Sequence, residues 1–190
     1  AFPVDLVTCF TSKKFIVVAS SATLSDEYRT LPADAPDSEF TIFQPRERNL
    51  EYSISHYDGH WYIRTNKDGA ENFKLMKCSE DATAKENWED VIAHRDDVFL
   101  EGTELFKNFL VIEERSNGLT QIRVMPWDGS EEHYLDFGEE TYTSYIGSNP
   151  DFDSETLRYG YSSLTTPSSV IDYNLVDKTK EIKKEQEVVG

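Results

Sequence analysis

The chain has 190 residues and 36 acidic against 19 basic side chains, a formal net charge of −17 that repels phosphate backbones and so excludes nucleic acid as an expected partner. With 38% hydrophobic and 13% aromatic residues it holds enough apolar area for a sizeable core, and the aromatic excess favours strands over disorder. No run approaches the roughly 18 consecutive apolar residues of a membrane span, and the opening Ala1-Phe2-Pro3-Val4-Asp5 lacks a secretory signal pattern, so no membrane partner is expected and the chain reads as cytoplasmic, with the periplasm as the alternative.

In chain order, an extended run over 2–10 precedes Phe15-Ile16-Val17-Val18-Ala19, the polar turn Thr23-Leu24-Ser25-Asp26, a second run over 27–31 and a short one over 39–44. The next unit begins at 50–57, where Leu50, Tyr52 and Ile54 alternate with Glu51, Ser53 and Ser55, the period of a strand with two unlike faces. Trp61-Tyr62-Ile63-Arg64-Thr65, the turn Asn66-Lys67-Asp68-Gly69, and runs over 72–77 and 88–92 complete it. The third unit has runs over 98–106, 109–113, 121–125 and 131–137, with Ser116-Asn117-Gly118 as its turn; the fourth has runs over 141–146, 157–161, 169–173 and 180–186, with Leu164-Thr165-Thr166-Pro167 as its turn. One helical turn is expected within 81–87.

The runs beginning at Phe15, Trp61, Phe109 and Leu157 are spaced by 61−15 = 46, 109−61 = 48 and 157−109 = 48 residues. A four-stranded antiparallel unit recurring at such a period is the pattern of a β-propeller blade, because one small sheet leaves both faces partly apolar and radial stacking buries them. The expected fold is therefore all-β: a partial propeller domain over 1–190, with blades near 2–48, 49–96, 97–139 and 140–187. The innermost strand of a blade faces the central channel, which makes Glu51, Ser53, Glu104 and Tyr145 candidate channel-lining residues. Arg46-Glu47-Arg48 and Arg95-Asp96-Asp97 precede inner strands and mix both charge signs; Arg46, Arg95, Asp96 and Asp97 are candidate interdomain rim residues.

A catalytic constellation is not expected. The nucleophile elbow Gly-x-Ser-x-Gly is missing, and its nearest approach, Gly160-Tyr161-Ser162-Ser163-Leu164, has Leu at the second Gly position and reads as a blade strand. His56-Tyr57-Asp58-Gly59-His60 reads as a two-residue hairpin turn with exposed His flanks rather than a metal site. Asp151, Asp153 and Glu155 follow a turn at Asn149-Pro150 without a calcium-loop glycine, and His94 and His133 read as polar strand-end residues. Cys9 and Cys78 have neither disulfide-framework nor zinc spacing and read as buried thiols of a reducing compartment.

Phe43-Gln44-Pro45-Arg46, Glu51-Tyr52-Ser53, Tyr62-Ile63-Arg64-Thr65-Asn66, Leu100-Glu101-Gly102, Glu113-Glu114-Arg115, Gly118-Leu119-Thr120 and above all Leu157-Arg158-Tyr159-Gly160-Tyr161-Ser162-Ser163-Leu164-Thr165-Thr166-Pro167 resemble the oligopeptidase B (protease II) branch of the prolyl oligopeptidase family of serine peptidases. The similarity runs essentially from Phe2 to Gly190.

In that family a propeller of about seven blades caps an α/β-hydrolase domain that carries a Ser, Asp and His triad and cuts short peptides after Lys or Arg. The resemblance implies that this chain is four of the later blades, with 187–190 starting the link to the hydrolase domain. It places the triad on that other domain, so no catalytic, cofactor-binding or metal-binding residue is expected here. Expected partners are the hydrolase domain of the same parent chain and short basic peptides, and an excised arc with uncovered blade faces is expected to self-associate. The competing reading is a free-standing propeller scaffold that binds protein or glycan.

Overall fold

The computed structural model describes residues 4–8 as backbone and residues 13–187 in full. Phe2, Cys9 and Phe10, and residues 188–190 of the expected link, lie outside the described residues. Two compact units divide the chain, Ala1–Asp96 and Asp97–Gly190, and each contains two four-stranded antiparallel sheets.

The first sheet orders β1 (Val4–Thr8), β2 (Phe15–Ala22), β3 (Ser25–Pro32) and β4 (Thr41–Ile42) side by side, and the second does the same with β5 (Tyr52–Tyr57), β6 (His60–Thr65), β7 (Lys74–Ser79) and β8 (Glu89–Ile92). In the other unit the third sheet comprises β9 (Val98–Leu105), β10 (Phe109–Ser116), β11 (Leu119–Pro126) and β12 (His133–Tyr134), and the fourth β13 (Tyr142–Ile146), β14 (Thr156–Ser163), β15 (Ser169–Asn174) and β16 (Lys180–Glu185). Each sheet is a meander in sequence order, as in a propeller blade. The helical turn expected within 81–87 is the 3-10 turn Lys85–Asn87.

Local sequence explains the hairpins. Asp58-Gly59 and Asn117-Gly118 both take positive φ at their two residues, 47° with 71° and 52° with 80°, the backbone that a two-residue turn needs to match strand twist and that Asn, Asp and Gly adopt at least cost. A bulge in β9 opposite Glu113 and Glu114 leaves Glu101 without a register partner in β10, a device that re-aims side chains along an inner strand.

In the first unit the two sheets pack on an aromatic seam. Phe43, Tyr52, Trp61 and Trp88 are each at most 5% exposed, with ring centroids 5.3 Å apart for Phe43 and Trp61 and 5.5 Å for Tyr52 and Trp88. The Tyr52 hydroxyl donates to Gln44 O (2.9 Å) and accepts from Tyr28 N (3.1 Å), satisfying two backbone groups across the seam. Asp26 Oδ2 takes the Tyr52 N–H (3.0 Å), and Asp26 N donates to Leu50 O (3.1 Å), so the start of β3 in the first blade holds the start of β5 in the second.

The second unit repeats the plan with an aliphatic and tyrosine seam. Val111, Ile122 and Val124 of the third blade meet Leu157, Tyr159 and Tyr173 of the fourth, each at most 3% exposed. Polar ties again reach the inner strand: Ile146 N donates to Glu113 Oε1 (3.0 Å) and Ser144 Oγ to Thr120 O (3.2 Å).

Candidate functional site

A propeller offers two kinds of functional surface, the inner strands and the rim loops. On β5, Glu51 precedes the strand and is half-buried; its backbone N–H donates to Asn66 Oδ1 (2.9 Å) and its Oε1 accepts from Asn66 Nδ2 (3.3 Å). Ser53 is exposed and pairs with Arg64. Glu51 and Ser53 thus lie on the polar side of the alternation, opposite the buried Leu50 and Tyr52.

Glu104 sits directly opposite Val111 in the β9–β10 register, and directly opposed residues share a sheet face. Its carboxyl is therefore on the face that Val111 packs into the seam. Burial pushes its pKa up to about 7 by disfavouring the charged form. Tyr145 is 54% exposed, and its phenol lies across its cross-strand partner Gly160 on β14. The ring runs along the sheet face.

On the rim, Arg46 works within its own blade: Nη1 donates to Ser25 O (2.8 Å) and Ser25 Oγ (3.0 Å), and Nη2 to Ser20 Oγ (3.0 Å) and Ser20 O. It clamps the end of the β2–β3 hairpin. Beside it a cleft of about 360 Å³ is lined by Glu47, Arg48, Asn66, Lys67, Asp68 and Lys85 among others, with ion pairs between Lys85 and Glu47 and between Lys67 and Asp68. Arg95 is half-buried, and Asp96 and Asp97 are exposed. The carbonyls of Arg95 and Asp96 accept from Asn72 Nδ2 at 3.0 and 2.8 Å, which leaves the Asp96 carboxylate outward, 3.7 Å from His94 Nδ1.

One sequence expectation is corrected. His56 does not flank its turn in solvent; it is 2% exposed, edge-on to Phe15 and Trp61 with centroids 4.9 and 4.7 Å away. Its Nε2 bonds Glu80 Oε2 (2.9 Å), and Glu80 Oε1 bonds Lys14 Nζ (2.5 Å). The Lys14 hydrogen bond chiefly holds the Glu80 carboxyl below its usual range; an ionised carboxylate only accepts, so His56 Nε2 carries the proton. Burial lowers the His56 pKa, against the pull of Glu80. Phe15, far away in sequence on the neighbouring blade, covers the ring together with Trp61 of its own blade.

The other candidates have structural partners. His94 Nε2 accepts from Asn72 N (3.3 Å), and His133 Nε2 lies 2.8 Å from the Tyr173 hydroxyl. Asp151 Oδ1 accepts from Asp153 N (3.1 Å) within a turn. Among the described residues no group of three or more His, Cys, Asp or Glu is placed to hold a metal ion. Cys78 is a free, buried thiol whose pKa burial raises to about 12. Ser163 Oγ accepts from Thr165 N (3.1 Å) and Thr166 N (2.9 Å), closing the turn after β14 as a local cap.

Sequence reasoning missed Glu139. From the loop between the third and fourth blades its carboxylate accepts from Thr165 Oγ1 (3.1 Å) and Thr166 Oγ1 (3.0 Å), bracing that same turn. The legible signal was the pair of hydroxyls in Leu164-Thr165-Thr166-Pro167, which need an acceptor.

The profile of the family described as prolyl oligopeptidase, N-terminal beta-propeller domain, matches residues 6–186. The chain belongs to that family. Among curated relatives the propeller is 42% identical to dipeptidyl aminopeptidase BI of Pseudoxanthomonas mexicana over 93% of this chain and 24% of the relative. It is 32% identical to Protease 2 of Moraxella lacunata over 98% of this chain and 27% of the relative. The propeller thus spans about a quarter of the length of these relatives. Among solved structures, oligopeptidase B from Leishmania major superposes with a TM-score of 0.89 at 25% identity, covering 100% of this chain and 28% of that one. Oligopeptidase B from Trypanosoma brucei with covalently bound antipain shares the fold, with a TM-score of 0.87 at 22% identity over 98% of this chain and 28% of that one.

Proposed function

We propose that this propeller is the non-catalytic part of an oligopeptidase B-like serine peptidase, limiting access to, and docking on, a hydrolase domain of the same parent chain. The observation that carries the reading is the match of the N-terminal propeller family across residues 6–186 in a chain spanning only about a quarter of its relatives' length. The chemistry of bond cleavage, acylation of a serine with histidine as base, then belongs to the other domain. A wall of blades over such a site admits short, unfolded chains and excludes folded proteins. The net charge of −17 favours the approach of peptides bearing Lys or Arg. Of the rim charges, Arg46 holds its own hairpin, so the exposed Asp96 and Asp97 are the better placed to meet another domain.

The test uses the parent chain. An engineered disulfide between the rim near Arg95 and the hydrolase domain should slow cleavage of short Arg and Lys peptides at least tenfold, leave labelling by a small serine-directed reagent nearly unchanged, and be reversed by reduction. A locked enzyme that cleaves peptides at the unlocked rate removes the gating role. Because the relative at 42% identity is named a dipeptidyl aminopeptidase, release of amino-terminal dipeptides is scored beside cleavage after Lys or Arg. Dipeptide release alone would overturn the basic-residue specificity.

A further inference from the structure

Leu164 is 93% exposed, at the tip of the turn between β14 and β15. A lone exposed apolar side chain is unremarkable on a loose loop, but this turn is braced from several sides. Ser163 N donates to Thr166 O (3.0 Å), and Ser163 Oγ takes the N–H groups of Thr165 (3.1 Å) and Thr166 (2.9 Å). Glu139 receives both threonine hydroxyls at 3.1 and 3.0 Å. Below it, Ser169 Oγ donates to Pro167 O (2.8 Å). These bonds hold the leucine away from its own blade.

The course of the chain indicates what meets it. β16 runs antiparallel to β15, pairing Glu185 with Ser169, and Gln186 N donates to Ser168 O (2.9 Å). Chain that follows β16 therefore departs beside this turn, at the same end of the blade. On the reading proposed above, in which a hydrolase domain of the same parent chain accompanies the propeller, the segment that departs there leads toward that domain. In the first blade the corresponding turn, between β2 and β3, likewise presents Leu24, 50% exposed.

We infer that the turn 163–167 is a preformed docking element for the domain that follows β16, with Leu164 seated in an apolar recess of that domain and Glu139 as the positioning residue that keeps the turn in its docking shape. A rigid apolar anchor loses little conformational freedom on burial, which is how one side chain contributes measurably to seating a domain. The inference rests on the docking reading above and names the contact that performs it.

The experiment compares the full parent chain with Leu164→Asp, Leu164→Ala and Glu139→Gln. Limited proteolysis of the segment joining the two domains, and the radius of gyration by small-angle scattering, report seating; far-UV circular dichroism checks the fold, which a substitution at a solvent-exposed tip should leave intact. Leu164→Asp should speed cleavage of the joining segment at least tenfold and enlarge the radius, with smaller changes in the same order for Leu164→Ala and Glu139→Gln. If the wild-type segment resists cleavage and Leu164→Asp leaves it resistant, docking stands and the Leu164 contact is wrong. If the wild-type segment is already cut as fast as an unstructured peptide, the docking reading fails and takes this inference with it.

Discussion

The phenol of Tyr145 covers Gly160 so closely that a Cβ built on the glycine would lie 2.2 Å from Tyr145 Cζ and 2.4 Å from Cε1. The two are cross-strand partners in the β13–β14 register, and the glycine leaves the floor on which the ring rests. Gly160→Ala should therefore displace the ring and cost about 1 kcal/mol. In a Tyr145→Ala background the same change should be neutral or slightly stabilising, since alanine is a better strand residue than glycine once the clash is gone. A double-mutant cycle in urea measures this; equal costs in both backgrounds would show that the contact does not couple the two sites.

Glu104 sets a pH dependence of the third blade. Its folded pKa of about 7 lies above the ordinary 4.5, so folding favours the neutral carboxyl. The cost of ionising it in the fold is absent below the unfolded value, grows as pH rises between the two, and is complete above pH about 7. Glu104→Gln should stabilise the protein by about 1–2 kcal/mol at pH 8, a figure reduced for the group's partial contact with solvent, and by almost nothing at pH 4.5. Thermal melts of both proteins across that range test it, and a constant difference at all pH values would refute the assignment.

His56 acts in the opposite direction on the pH axis. Its folded pKa lies below the ordinary 6.5 because the ring is buried, so stability present above that value is lost as pH falls below it. Glu80→Gln weakens the acceptor of a buried N–H and should cost about 1–2 kcal/mol at pH 7. His56→Gln should flatten the loss of stability between pH 7 and 5.5, as followed by urea midpoints. An unchanged slope would mean that His56 does not titrate across folding.

The sequence by itself determined the blades. Period-2 alternation, the turn residues and the spacing of about 46 to 48 residues act over a few residues at a time, so the four meanders and the all-β class are legible without coordinates. Even there, the tight pairing of Ala22 with Ser25 carries the third strand of the first blade back to Ser25, ahead of the expected start at Glu27. What the tertiary structure alone decided is which side chains the seams bury. His56 stands next to a turn and reads as exposed until Phe15 of another blade covers it. Arg46 reads as part of a mixed-charge, salt-bridged rim loop until the carbonyls of Ser20 and Ser25 come within its reach, and Glu104, a candidate channel-lining residue, is set by its pairing with Val111 on the face that packs toward Leu157 and Tyr159 of the fourth blade. Such burial depends on residues tens of positions apart, and a local pattern holds no record of the distant surface that removes water from it.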